Sequence, residues 1–108
     1  MTDFNKACDE LIVAIGDDYK RWRLRGDYYS DESIAKFRNE LSVKTGRKYA
    51  KILTDRSVWG FVQLEDDAKF KKGDILMAAG YNAPARNKPR GNIFENYHIQ
   101  WTGPRYLF

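Results

Sequence analysis

The chain has 108 residues, of which 43% are hydrophobic and 15% aromatic, so it suits one domain with a modest core and is too apolar for intrinsic disorder. Its 19 lysines and arginines exceed its 15 acidic residues, and the resulting charge of +4 suits polyanionic partners such as nucleic acid, although such a surplus is also common on proteins that bind no nucleic acid. A single cysteine, Cys8, excludes an internal disulfide, and together with a single histidine, His98, it is too little for a thiolate or imidazole zinc site.

The N-terminus and the hydropathy of the chain predict a soluble, cytoplasmic protein. The first ten residues, MTDFNKACDE, are polar and acidic, whereas a signal peptide begins basic and then becomes apolar. No apolar run approaches the roughly 20 residues that a membrane span needs. We therefore expect no membrane partner.

Apolar residues at helical spacing predict a helix at the start of the chain. They are Phe4, Cys8, Leu11, Ile12 and Ile15. Cys8 lies on the apolar side of this helix, so we predict that it is a core residue. Gly16 leaves two alternatives, a single helix to about Leu24 or a break at the glycine. We favour a break or a kink at Gly16, because an interior glycine costs about 1 kcal/mol relative to alanine.

A second helix is predicted after Ser30, which is a good N-cap residue and precedes two acidic residues in the first turn. Its apolar stripe consists of Ile34, Phe37 and Leu41, and Gly46 ends the region. Residues 1–45 are therefore predicted to be the helical part of the chain.

Strands are predicted over residues 48–54, 58–64, 74–79 and 93–101, and the first two are predicted to form a hairpin. In the second strand Trp59 and Phe61 are two positions apart, so we expect them to share a face of the sheet. Because both faces of this strand are apolar, it is predicted to lie centrally with cover on each side. The alternative is that the face with Trp59 and Phe61 is a platform on which bases stack. The apolar tail, residues 106–108, is expected to dock on the core.

Helices followed by strands predict an α+β fold, with N-terminal helices packed on a small antiparallel β-sheet of three to four strands. We expect one domain over residues 1–108, in which residues 46–108 contribute the sheet and a basic loop. The predicted core consists of Leu11, Ile15, Ile34, Phe37, Leu41, Ile52, Val62 and Ile75.

Two basic stretches are candidate phosphate-binding elements. Residues 81–92 have the composition of an irregular loop, in which Arg86, Lys88 and Arg90 alternate after Tyr81. Such cations suit phosphate, and an aromatic ring beside them suits a base. Arg21 and Arg23 form a second basic group around Trp22, although cations at a helix end also complement the helix dipole.

No catalytic motif, phosphate-binding glycine loop or metal-ligand cluster stands out in the chain, so we predict that it is not an enzyme and uses no cofactor or metal. His98 lies among aromatic and aliphatic residues of the last predicted strand. We interpret it as a packed or surface histidine rather than as a general base.

The segment SVWGFVQL, residues 57–64, resembles the aromatic strand signature of the RNA-recognition-motif family. Trp59, Gly60, Phe61 and Val62 match its aromatic, small, aromatic and aliphatic positions. Ser57 and Val58, however, stand where that signature has a basic residue and a glycine. The order of helices before strands also differs from that family, so we interpret the match as a local effect of β-propensity.

A wider resemblance runs from Gly46 to Pro104 through the segments GRKYAKI, SVWGFV, KKGDILMAAGYNAPARNKPRGN and IQWTGP. Together these segments resemble a group of small uncharacterised proteins encoded by tailed bacteriophages. The resemblance implies a phage origin, with a role in the cytoplasm of an infected bacterium or in the virion. It implies no functional residues.

These patterns support two functional hypotheses. In the first, the chain binds nucleic acid without catalysis. Bases stack on Trp59, Phe61 and Tyr81, and basic side chains bind the phosphates. Those cations are Arg86, Lys88, Arg90, Arg21 and Arg23. In the second, the chain is a protein-interaction module, either an inhibitor of a host enzyme or a minor virion component.

Overall fold

The computed structural model describes residues 2–25, 31–55, 57–86, 88–95 and 97–104. Two helices come first, and a four-stranded antiparallel sheet with strand order β1-β2-β3-β4 follows them. This confirms the predicted α+β class. The elements are α1 (Thr2–Arg25), α2 (Asp31–Glu40), β1 (Leu41–Thr45), β2 (Tyr49–Thr54), β3 (Ser57–Gln63), β4 (Ile75–Leu76), β5 (Ala78–Gly80), β6 (Ala83–Pro84), β7 (Ile99–Gln100) and β8 (Gly103–Pro104).

Helix α1 runs through Gly16 without interruption, so the predicted break is wrong. A Cβ atom at this position would lie 3.1 Å from Arg38 Nη1 and 3.2 Å from Arg38 Cγ. The glycine therefore leaves room for Arg38 of α2 to cross α1, where its Nη2 donates a 2.8 Å hydrogen bond to Asp17. This contact between the two helices offsets the low helix propensity of glycine.

Helix α2 ends at Glu40, so the predicted helical part, residues 1–45, also includes a strand over residues 41–45. These residues form β1, which pairs along its whole length with β2. Leu41 is buried, as predicted, but it reaches the core from the first position of a strand. Pairing with β2 therefore determines the structure at Leu41, although Ile34, Phe37 and Leu41 have helical spacing. The predicted N-cap, Ser30, lies outside the described residues.

The predicted hairpin of residues 48–54 and 58–64 is confirmed as β2 and β3. Ile52 pairs with Gly60 but Leu53 pairs with Val58, so Trp59 is an extra residue in β3. Such a β-bulge reverses the side-chain alternation on one side of it. The expectation that Trp59 and Phe61 share a face is therefore wrong, and their rings pack in separate clusters on opposite sides of the sheet.

The main core lies between α1 and one face of the sheet, and it includes Cys8, as predicted. Phe61, Phe70 and Leu76 form a second buried cluster on the other face. Of the eight predicted core residues, Phe37 alone is only half-buried; its ring stacks on Tyr19 with centroids 4.2 Å apart.

The C-terminal strands are shorter than predicted. Residues 74–79 divide into β4, at the edge of the main sheet, and β5, which pairs with β6 in a separate hairpin. Residues 93–101 do not form one strand, because Asn92 accepts a 2.9 Å hydrogen bond from Phe94 N and turns the chain. Among the described residues of this segment, only Ile99–Gln100 is a strand, and it pairs with β8. The tail, residues 106–108, lies outside the described residues.

Candidate nucleic-acid interface

The two rings of β3 are inaccessible to a base. Trp59 is 3% exposed and Phe61 is 2% exposed, so the stacking platform predicted from these residues is wrong. Trp59 Nε1 donates a 2.8 Å hydrogen bond to the carbonyl oxygen of Gln100, which fastens the β7–β8 hairpin to the sheet. Both residues belong to the interior, as expected for a central strand covered on each side.

Tyr81 is accessible, with 56% of its surface exposed at the turn between β5 and β6. The ammonium group of Lys51 lies 4.1 Å from the centroid of its ring, a distance typical of a cation–π contact. Lys51 Nζ also donates a 2.8 Å hydrogen bond to Asn82 Oδ1. Lys51 therefore holds this turn against the open face of β2.

Arg86 is engaged in the fold. Its Nη2 donates a 2.8 Å hydrogen bond to Asp67 Oδ2, its Nη1 donates to the Tyr49 hydroxyl, and its guanidinium lies 4.6 Å from the centroid of Phe70. Hydrogen bonds from the main-chain N–H groups of Phe70 and Lys69, followed by that from Arg86, hold the pKa of Asp67 well below its usual range. An ionised Asp67 already offsets the charge of Arg86, so the nucleic-acid hypothesis no longer depends on this arginine.

The segment that contains Lys88 and Arg90 follows the edge of the sheet rather than projecting as an independent loop. Arg90 N donates to the carbonyl oxygen of Ile75, and Ile75 N donates to that of Gly91, at 2.7 and 2.8 Å. Arg90 is half-buried, and desolvation lowers the pKa of its guanidinium. Its Nη1 donates to the carbonyl oxygen of Lys88, and Lys88 itself is exposed.

The two predicted arginines at the end of α1 differ in environment. Arg21 is exposed and lies 3.4 Å from Asp18, one helical turn earlier. Arg23 is half-buried, donates a 3.0 Å hydrogen bond to Ser33 Oγ of α2, and lies 5.9 Å from the centroid of Tyr19. Arg23 therefore connects the two helices, whereas Arg21 faces a separate cleft.

A basic groove that is absent from the sequence predictions lies on the sheet face opposite the helices. This hairpin groove, of about 360 Å³, is lined by residues 44–49, Lys51, Phe61 and Asn82. Its cations are Lys44, Arg47, Lys48 and Lys51, and none of the described residues that line it carries a carboxylate. The turn between β1 and β2, at one end of the groove, is closed by a 2.8 Å hydrogen bond from Gly46 N to the carbonyl oxygen of Tyr49.

Lys44 of β1 stands directly opposite Lys51 of β2 in the antiparallel register. Like charges directly opposite each other destabilise a sheet. The cost is on the order of the 0.2–1 kcal/mol that a favourable cross-strand pair contributes. Within the described parts of the chain, no carboxylate forms an ion pair with Lys44, Arg47 or Lys48. An anion in the groove would relieve this repulsion.

A sequence signal for the groove was present in the segment KTGRKYAK, residues 44–51, which has four cations and no acidic residue. The predicted boundary between the helical part and the sheet, after residue 45, divides this segment, so the pattern by itself does not place its cations on one face. Only as a hairpin do these residues bring Lys44 opposite Lys51, since cross-strand neighbours share a face.

Other chemistry is sparse over the ranges that the structure describes. They contain no group of three His, Cys, Asp or Glu side chains that could hold a metal ion, and no helix long and apolar enough to cross a membrane. Burial raises the pKa of the Cys8 thiol to about 11, so this cysteine is a poor nucleophile at neutral pH. His98 is exposed.

Residues 1–106 match a protein family described as a family of unknown function, DUF7717. The chain belongs to this family. The family description names no activity, ligand or source, so the resemblance to phage proteins stays a prediction. No curated protein and no solved structure matches the chain.

Proposed function

We propose that the protein binds single-stranded nucleic acid without catalysis, and that the hairpin groove holds the sugar–phosphate backbone. The observation that carries the proposal is the direct opposition of Lys44 and Lys51 in a groove whose described lining residues include no carboxylate. When lysine and arginine side chains neutralise phosphates, the counterions condensed on the nucleic acid are released, and this release is the main source of affinity in sequence-independent binding.

The side chains of the groove divide into two roles. Lys44, Arg47 and Lys48 are exposed and contact phosphates. Lys51 is half-buried beneath the ring of Tyr81, and it positions that ring while adding its charge to the groove. Tyr81 stacks on a base, which is the role that the sequence predicted for it.

An exposed tyrosine beside the groove favours a single strand over a duplex. A ring can stack on a base only when the face of that base is uncovered, as it is in single strands, loops and ends. Stacking and backbone contacts carry little base-specific information, so we expect weak sequence preference.

The test is a fluorescence anisotropy titration of a labelled single-stranded oligonucleotide at several salt concentrations. We expect a dissociation constant of about 1–100 µM at physiological salt, which is the usual range for non-specific binding. Each phosphate contact adds about 0.7 to the slope of log affinity against log salt. Replacing Lys44, Arg47 and Lys48 by alanine should flatten this slope by about two.

The matched control is the triple alanine variant of Lys6, Lys20 and Lys36, which are exposed on the helices and change the net charge equally. This variant should keep nearly the native slope. Equal slopes for the two variants would rule out the hairpin groove as the site. A native protein that binds no tighter than about millimolar at low salt, or that binds poly-glutamate as well as the oligonucleotide, would overturn the nucleic-acid proposal.

A protein-interaction module, acting on a host enzyme or within a virion, is the second candidate. The exposed apolar side chains Val13 and Leu24 of α1 favour it. They are 11 residues apart, which is about 16 Å along a helix, so they form no continuous patch by themselves. We therefore prefer nucleic-acid binding to protein interaction. We propose that the protein acts in the cytoplasm, which is the cytoplasm of an infected host if a phage encodes the chain.

A further inference from the structure

A second cavity lies on the helix-bearing side of the sheet, between the last turns of α1 and the tip of the β7–β8 hairpin. Its volume is about 550 Å³, within the range of small-molecule sites. We call it the tryptophan cleft. Its wall includes Asp18, Arg21, Trp22, Arg25 and Trp101.

The fold fixes the walls of this cleft at two points. Asp18 Oδ2 of α1 accepts a 2.8 Å hydrogen bond from the main-chain N–H of Trp101. Trp59 Nε1 donates to the carbonyl oxygen of Gln100. The hairpin tip is therefore held by α1 on one side and by the sheet on the other, so the cleft is formed before any ligand arrives.

The aromatic wall of the cleft is accessible. Trp22 is 45% exposed, and its ring centroid lies 5.0 Å from that of Trp101. Trp101 also meets Tyr19 and Phe37 edge-on, with centroids 5.0 and 5.8 Å apart, which fixes its ring. A planar ligand can therefore stack against a tryptophan surface that the interior supports.

The basic wall comes from one face of α1. Arg21 and Arg25 are one helical turn apart and exposed, and like charges at this spacing repel each other. Asp18 offsets part of the charge of Arg21 through the 3.4 Å ion pair. Guanidinium groups favour phosphate because their donors match its oxygen atoms in pairs.

We propose that the tryptophan cleft binds a nucleoside phosphate, with the base stacked on Trp22 and the phosphate held by Arg21 and Arg25. The ligand chemistry, a planar ring joined to an anion, is shared by a free mononucleotide and by one nucleotide of a strand. The cleft and the hairpin groove use different residues on opposite sides of the sheet, so the inference stands whether or not the groove binds nucleic acid.

The experiment uses the full chain and adenosine monophosphate, adenosine, inorganic phosphate and an oligonucleotide, with binding measured by isothermal titration calorimetry and tryptophan fluorescence. We expect adenosine monophosphate to bind at least about 10-fold more tightly than adenosine or phosphate, since each of these lacks one of the two contacts. Competition with the oligonucleotide separates the two sources. The competition uses the variant in which Lys44, Arg47 and Lys48 are alanine. If the oligonucleotide displaces adenosine monophosphate from this variant, the cleft accepts a nucleotide of a nucleic-acid strand. If it does not, the cleft is specific for free nucleotides.

Trp22→Leu should weaken binding of adenosine monophosphate about 5- to 100-fold, in line with the loss of one stacked base, and should reduce fluorescence quenching. Arg25→Gln should also weaken binding while its circular dichroism stays native, and it serves if Trp22→Leu does not fold. The control is the triple alanine variant of the hairpin groove, which should bind adenosine monophosphate with native affinity. Absence of binding, equal affinity for adenosine and its monophosphate, or native affinity in Arg25→Gln would overturn the proposal.

Discussion

The segment of residues 81–92 and the hairpin groove are both rich in cations, but their cations have different surroundings. Arg86 pairs with Asp67 and hydrogen-bonds to Tyr49, and Arg90 is half-buried against the sheet edge. Lys44 of the groove is exposed and faces Lys51, and Lys48 is exposed between the groove and a smaller cavity that Glu65, Asp66 and Asp67 line. Cation-rich segments of similar composition can therefore either take part in the contacts of the fold or leave their charges at an open surface.

The largest expected effect separates the floor of the groove from its rim. Phe61 is fully buried beneath the groove, so Phe61→Ala should lower the free energy of unfolding by about 3–5 kcal/mol. Tyr81 is exposed at the rim, and Tyr81→Ala should change the free energy of unfolding by no more than about 0.5 kcal/mol. Urea unfolding of the two variants measures both values. A loss under about 1 kcal/mol for Phe61→Ala would remove this ring from the core.

A second effect tests whether Arg86 and Asp67 serve the fold. Because the pKa of Asp67 is held below its ordinary value near 3.8, its ionised form stabilises the folded state above about pH 4. That stabilisation is lost as the pH falls below about 4 toward the lowered pKa of the folded state. The native urea midpoint should therefore fall more steeply between pH 5 and pH 3 than that of Asp67→Asn.

Asp67→Asn is a matched variant, because the asparagine oxygen can still accept hydrogen bonds from the N–H groups of Lys69 and Phe70. Its nucleic-acid salt slope should stay native, since Asp67 does not line the hairpin groove. Parallel pH profiles for the two proteins would show that the Asp67 carboxylate contributes nothing to stability.

The smallest effect concerns the opposed lysines. Lys44→Thr removes one of two like charges that face each other and places a β-branched residue in a strand. We expect the free energy of unfolding to rise by about 0.2–1 kcal/mol while oligonucleotide affinity falls. Lys36→Thr, on the exposed face of α2, is the control and should not raise stability. A loss of stability in Lys44→Thr would show that the lysine pair does not strain the sheet.

Local sequence pattern was enough for the parts of the fold that depend on periodicity. The spacing of Leu11 and Ile15 predicted the buried face of α1, and alternation with a short link predicted the β2–β3 hairpin. The exposed position of Tyr81 in a turn also follows from the glycine before it and the polar residue after it. These features arise from neighbours a few residues apart, so a single sequence contains them.

The candidate sites depended on contacts between distant residues. The bulge that turns Trp59 away from Phe61 is set by pairing with β2, although Gly60 within the strand was a signal for it. Asp67 reaches Arg86 across 19 residues, and Trp101 meets Asp18 across 83. The sequence by itself determined which faces are apolar and where cations cluster. Only the tertiary structure decided which rings are buried and which cations keep an acidic partner, because both depend on segments that the fold brings together.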